Sequence, residues 1–164
     1  MAAGKTTVAR LLAKRFERAV HLDSDVFRRS IVSGRAEVTP ELTPEALGQL
    51  RLRYRLAAAA ADGYADAGFT VALEDVASGR LLEEYAMLIQ CRPLHVVVLL
   101  PSLESIRSRE ARRRDKGYLH GWTVEGHYAD FAEATPRIGV WVDSTDQTPD
   151  ETVDAILALT DSAP

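Results

Sequence analysis

Cysteine, aromatic residues and long apolar runs are scarce in this sequence, and it has no net basic charge. A single cysteine, Cys91, among 164 residues excludes an internal disulfide and a metal held by a cysteine cluster. Cys91 reads as a small buried apolar residue. No apolar run approaches the roughly 20 residues needed to span a bilayer. The opening segment MAAGKTTVARLL has neither the charged start, the long apolar stretch nor the cleavage site of a signal peptide. A cytoplasmic location with no membrane partner is the expectation. The formal net charge of −4 argues against a dedicated nucleic-acid or acidic-membrane binder, while leaving room for a local basic patch. What is present is ordinary: 46 % hydrophobic and 27 % charged residues suit one domain with a real core, read here as residues 1–164.

Helical and strand patterns alternate along the chain. Residues 5–18 read as a helix with Val8, Leu11, Leu12 and Phe16 on one face. A short strand at 19–22 ends in Asp23-Ser24-Asp25, and a helical stretch around 27–31 follows. Thr43-Pro44 starts a long helix, because Thr caps it and Pro suits a first turn whose N–H has no partner. Its apolar face runs through Leu47, Leu50, Tyr54, Ala57, Ala61 and Tyr64 to a stop at Gly68. A strand at 69–73 leads into Glu74-Asp75, and a helix spans 81–89. The run HVVVLL at 95–100 reads as a strand buried on both faces. Another helix begins at Pro101-Ser102 and runs into an arginine-rich stretch. A strand at 138–142, with Trp141 in the core, precedes a last helix opened by the capping-box spacing Thr148 to Glu151. Strands separated by helices imply an α/β fold, a parallel sheet with helices on both faces.

The strongest chemical signal is Ala3-Gly4-Lys5-Thr6-Thr7. Gly4, Lys5 and Thr6 match the last three positions of G-x-x-x-x-G-K-[ST], and a helix follows as that pattern requires. Loop N–H groups and a helix N-terminus together cradle phosphate. Ala3 and Gly4 line that cradle, Lys5 holds the β/γ-phosphates of ATP and the Thr6 hydroxyl ligates Mg²⁺, with Thr7 packing or capping beside them. The competing view is a chance tripeptide at a helix start, and the surrounding β/α alternation weighs against it. Asp23 and Asp25 lie at the carboxyl end of a strand, where open α/β sheets bind ligands; either is equally a helix cap. Asp75, preferred over Glu74, suits water contacts to Mg²⁺ or an acceptor hydroxyl. Arg28 is available to a polar acceptor, or is part of a solvated face. Arg107, Arg109, Arg112, Arg113 and Arg114 fall within eight residues, and Arg109 and Arg113 share a helix face. A solvated basic helix is the plain alternative for them, and a nucleic-acid patch beside Tyr118 and Trp122 is a lesser one. His120 and His127, with no third ligand nearby, do not make a zinc site.

With these residues in place, the chain resembles the small P-loop kinases of the nucleoside-monophosphate-kinase-like group, nearest to chloramphenicol phosphotransferase, shikimate kinase and gluconate kinase. The likeness covers nearly the whole chain in order of elements. It implies a three-layer fold with a parallel sheet in strand order 2-3-1-4-5 and a mobile lid, here about residues 108–127. It also implies roles: Asp23 near Mg²⁺, Asp25 orienting or deprotonating the acceptor hydroxyl, and lid arginines such as Arg109 and Arg113 neutralising the transferred phosphoryl group or stacking on adenine. The implied activity is ATP-dependent transfer of the γ-phosphate to a hydroxyl of an antibiotic, sugar acid or other metabolite. A nucleoside or nucleotide kinase, and a nucleotide-binding module without transfer, are the alternatives. The acceptor identity and oligomeric state have no readable code. The pattern's first glycine, and the strand that feeds it, fall before Met1. Loss of about five buried apolar side chains at roughly 1.5–3 kcal/mol each forfeits about 7–15 kcal/mol, similar to the stability of a whole domain. The expectation is therefore a natural start roughly ten residues upstream, given strands of about 5–6 residues.

Overall fold

The computed structural model describes residues 2–113, 117, 118 and 120–161. In chain order they form α1 (Lys5–Ala13), β1 (Ala19–Asp23), α2 (Asp25–Arg29), α3 (Pro44–Asp66), β2 (Thr70–Glu74), α4 (Arg80–Leu88), β3 (Val97–Leu99), α5 (Leu103–Arg112), α6 (Val124–Ala129), β4 (Val140–Val142) and α7 (Pro149–Asp161). A π-helical turn, Asp130–Ala134, continues α6. This is the α/β architecture expected, with parallel strands flanked by helices.

The strands pair in two parallel couples among the described residues. β1 runs beside β2 in the register Ala19 to Thr70 through Asp23 to Glu74, and β3 runs beside β4 from Val97–Val140 to Leu99–Val142. Among the described residues no strand joins β2 to β3. Between them lies an apolar cleft of about 280 Å³, lined by Val71 and Leu73 of β2, Val97 and Leu99 of β3, Leu12 of α1 and Tyr85 of α4.

Two apolar clusters hold the couples. Leu50, Tyr54 and Ala57 of α3 pack with Ala77, Tyr85 and Ile89, and the Tyr54 and Tyr85 rings stack with centroids 4.2 Å apart. Val8, Val142, Val153 and Ile156 join α1, β4 and α7. Fully burying a large apolar side chain contributes about 1.5–3 kcal/mol, and stacked aromatic pairs add to this.

The local signals act as their chemistry requires. The Thr43 hydroxyl accepts from the Ala46 amide at 3.2 Å, with Pro44 in the first turn. Thr148 and Glu151 cap each other reciprocally, Glu151 N–H to Thr148 Oγ1 at 3.2 Å and Thr148 N–H to Glu151 Oε2 at 2.8 Å. Gly139 enters β4 at φ 67°, where a Cβ would collide with the Val96 carbonyl. Several expectations need correction. α1 stops at Ala13, so Phe16 lies outside it and is exposed. The β3 ladder covers only Val97–Leu99, and of these only Val98 is buried, because the cleft takes one side. Tyr64 is exposed at the end of α3. Cys91 is half-buried against the first cluster rather than enclosed. Trp141 is also only half-buried, its ring covered by Arg137 at 4.0 Å.

Candidate active site

The site gathers at the carboxyl ends of the strands. Gly4 precedes α1 at φ 93°, a left-handed conformation that glycine adopts freely. Nothing lies within 4 Å of where its Cβ would stand, so the face of the bend is open. The first α1 hydrogen bond closes at Val8 N–H to the Gly4 carbonyl, 3.0 Å. The amides of Lys5, Thr6 and Thr7 therefore belong to the first turn, whose donors have no partner within the helix. Half-buried Lys5 lines the cleft beside this turn, while Thr6 and Thr7 are exposed.

The Thr6 hydroxyl donates to Glu74 Oε2 at 3.0 Å, and His21 Nε2 stands 3.2 Å from Glu74 Oε1. Glu74 ends β2 and is 7 % exposed, so the strand fixes its carboxylate beside the loop. Arg109 reaches the same region from α5. It donates to the Ser144 carbonyl after β4 at 2.8 Å and makes a longer contact with the Ala3 carbonyl at 3.5 Å.

A second cluster begins just past the end of β2, where Asp75 meets α3. Arg53 of α3 donates to Asp75 Oδ1 at 2.6 Å, to Asp25 Oδ1 at 3.1 Å and to the Val76 carbonyl at 3.4 Å. The Asp75 amide neighbour, Val76 N–H, donates to the same carboxylate oxygen at 2.6 Å. Burial pushes the Asp75 carboxyl above its ordinary pKa, and the Arg53 charge only partly offsets this. Asp23 accepts from the Asp25 amide at 3.0 Å and from Arg29 at 2.8 Å. Its burial works to raise its pKa, but those bonds and the Arg29 charge prevail and hold it below the usual carboxylate range. Arg28 pairs with Glu37 at 2.9 Å.

The expected residues thus divide between two groups. Ala3, Gly4, Lys5, Thr6, Thr7 and Arg109 meet at the loop. Asp25 and Asp75 meet at Arg53, with Asp23 bonded to the Asp25 amide and Arg28 3.8 Å from the Asp25 carboxylate. Thr6 reaches Glu74 rather than the expected Asp23, whose carboxylate is held by Arg29. Arg113 is exposed and pairs with Glu110 at 3.7 Å, and Arg107 pairs with Glu125 at 2.6 Å. Arg114 lies outside the described residues. Glu74 ranked behind its neighbour in the sequence, yet it is the carboxylate nearest Thr6. Arg53 was missed, although a charged residue between Leu50, Tyr54 and Ala57 on one helical face is a signal that reading for caps and motifs passes over.

The residues fit a bound Mg²⁺. Glu74 and the Thr6 hydroxyl offer hard oxygen donors beside an open, amide-lined bend. Among the described residues no group of three or more His, Cys, Asp or Glu side chains surrounds a metal. Magnesium is commonly held by one or two protein groups together with substrate phosphate oxygens, so the sparse donor set agrees with it.

A glycine-bent turn entering a helix, at the carboxyl edge of parallel strands, defines a P-loop nucleotide-binding domain. The chain belongs to the AAA domain family, which matches residues 1–134. Among solved structures it is similar to an unliganded sugar kinase from Janibacter sp. HTCC2649, with 21 % identity, a TM-score of 0.67 and coverage of 99 % of this chain and 91 % of that one. At that identity the likeness establishes a shared fold. A protein from Chloroflexus aurantiacus j-10-fl named as a kinase aligns more loosely, at 14 % identity and a TM-score of 0.49 over 99 % of this chain and 92 % of that one. No curated protein matches the chain. No helix among the described residues is long and apolar enough to cross a membrane.

Proposed function

We propose that this protein is an ATP-dependent phosphotransferase that moves the γ-phosphate to a hydroxyl of a small molecule. The observation that carries the proposal is the placement of two chemically distinct groups at one sheet edge. The open Gly4 turn with Lys5, Thr6 and Arg109 is suited to phosphate. The Asp25 carboxylate, steered by buried Arg53, is suited to a hydroxyl.

In this reading the first-turn amides and Lys5 hold the β- and γ-phosphates, and Glu74 fixes the Thr6 hydroxyl in its rotamer. Mg²⁺, when bound by Thr6 and Glu74, neutralises phosphate charge. Arg109, anchored to the Ser144 carbonyl, brings a cation to the loop. Asp25 accepts the hydrogen bond of the acceptor hydroxyl and takes its proton as the oxygen bonds to the γ-phosphorus and the bond from that phosphorus to the β–γ bridging oxygen breaks, the electron pair leaving with ADP. Phosphoryl transfer depends mostly on positioning and charge stabilisation, so Asp25 needs correct placement more than an unusual pKa. Asp75 acts through Arg53 as a positioning residue.

The test is ATP consumption across a panel of hydroxylated metabolites and antibiotics. One acceptor should stimulate it, and Asp25→Ala should remove the stimulation, lowering kcat by at least about 10²-fold, the lower end for a positioned proton acceptor. Stabilisation by Mg-ATP with no acceptor dependence would instead favour a nucleotide-binding module. The open cleft beside Lys5 is the feature that favours that second reading.

A further inference from the structure

Resting on the reading that the cluster around Asp25 receives the acceptor, we infer that this site selects a hydroxyl-bearing molecule without negative charge, one that lays an apolar part against Phe27 and Val38. Carboxylic acids and phosphate esters are disfavoured acceptors.

The arginines on this side are already committed. Arg28 and Arg35 both reach Glu37 at 2.9 Å. Arg29 reaches Asp23 at 2.8 Å. Arg53 is shared between Asp25 at 3.1 Å and Asp75 at 2.6 Å. His120 also faces Glu37, at 3.9 Å. An anionic acceptor would have to displace a protein carboxylate from its guanidinium and then lie beside the displaced charge. Recognition of carboxylate or phosphate ordinarily uses a guanidinium without a protein counter-charge, and here Arg28, Arg29, Arg35 and Arg53 each already face a carboxylate.

The carboxylates have the opposite character. Each ionised carboxylate has about four lone-pair sites, more than the arginines use. Asp75 shows this most sharply: its side chain is only 6 % exposed, yet Oδ2 has no partner in hydrogen-bonding geometry. The hydroxyls of Ser24 and Tyr85 stand alongside it. The cluster thus has a spare acceptor at Asp75 Oδ2 beside two unpartnered donors, Arg53 Nε and the Tyr85 hydroxyl, while each guanidinium charge already faces a carboxylate, which suits an uncharged ligand that brings O–H or N–H groups.

The adjoining wall is apolar. A pocket of about 60 Å³ between α2 and α3 is lined by Phe27, Ile31, Val38, Leu50, Leu52 and Leu56. That is room for a few water-sized groups, and an apolar pocket of this kind takes a methyl or short alkyl part in preference to water. Arg28 and Arg53 also belong to its wall, so the apolar part of a ligand and its hydroxyl meet the same surface, in the manner of small-molecule sites.

The experiment uses matched pairs on the full chain: a sugar alcohol with its sugar acid, and a nucleoside with its 5′-monophosphate. Acceptor-dependent ATP consumption is measured, along with the thermal shift each compound adds in the presence of Mg-ATP. The uncharged member is expected to lead by at least tenfold in kcat/KM and to give the larger shift. Glu37→Gln, which frees Arg28 and Arg35, is expected to narrow that ratio several-fold by improving use of the acid. Preference for the acid, equal use of both, or no shift from any uncharged member would overturn the inference, as would a ratio unmoved in Glu37→Gln. Stabilisation by Mg-ATP alone reports separately on the phosphate loop, so that reading stands or falls independently.

Discussion

The two ends of the site are built to different standards. Around Arg53, buried charges have close partners, aromatic rings stack at 4.2 Å, and α3 seals the back. Around the phosphate turn, β2 and β3 face each other across about 280 Å³ of apolar space with no strand between them. An engineered apolar cavity of about 150 Å³ is large by comparison with ordinary protein interiors. The Arg53 end is therefore held by packing. The order of the phosphate turn depends on α1, whose inner face borders that cleft through Val8, Ala9 and Leu12. The difference teaches that the phosphate turn is the more easily perturbed half of the proposed site.

Filling the cleft would break the comparison most completely. A strand of about five or six apolar residues joined ahead of Ala2 is expected to pair with both edges. It would raise the unfolding free energy by up to about 7–15 kcal/mol, an upper bound from burying five such side chains. Chemical denaturation reads this directly, and hydrogen exchange should show new protection in β2 and β3.

At the packed end, Arg53→Ala leaves Asp75 buried without its cation. The expected loss is about 3–5 kcal/mol, the usual range for removing one partner of a buried pair. Asp75→Asn in the same background should recover part of it, since a neutral amide is cheaper to bury than an unpaired carboxylate. A denaturant midpoint unchanged in Arg53→Ala would mean that the network contributes nothing to packing.

His127 connects the two ends through the aromatic cluster with Tyr118, Trp122 and Phe131. Burial, aided by the Lys5 charge, lowers its pKa to about 4 from an ordinary 6.5. The folded state then binds fewer protons than the unfolded state between those values. Its contribution is present above pH 6.5 and is lost as pH falls toward 4. The loss approaches about 3 kcal/mol at 1.36 kcal/mol per pH unit. Unfolding measured at pH 7 and pH 4.5 should show this dependence, and His127→Phe should flatten it.

A smaller effect is expected at the entrance to β4. Gly139→Ala forces a Cβ toward the Val96 carbonyl at a positive φ. A cost of about 1–3 kcal/mol is expected, with a matching fall in Tm, while Gly48→Ala in the open middle of α3 should be neutral or mildly stabilising.

The contrast between the ends also explains what could be read in the chain beforehand. Caps and stops are local chemistry, so Thr43-Pro44, Gly68 and the Thr148–Glu151 box were legible. The Gly4-Lys5-Thr6 turn was legible because phosphate binding demands that order. The α/β alternation was legible because strand and helix periods differ, and it appears as parallel strands flanked by helices. Arg53 was not legible, since nothing short of tertiary packing says that a helical arginine turns inward to two aspartates. That Glu74 meets Thr6 while Asp75 meets Arg53 depends on which way the last β2 residue points, and composition carries no such phase. α6 and the π-helical turn after it were unread, because six residues are too short for a helical period to show.

The central claim is that the Gly4 turn and Lys5 grip nucleotide phosphate at the strands' carboxyl edge. Isothermal titration of the full chain with Mg-ATP, set beside Lys5→Ala, tests it most directly. The account predicts saturable binding by the native chain, weakened at least tenfold in Lys5→Ala and competed by Mg-ADP. Absence of binding, or equal affinity in the two proteins, would contradict it.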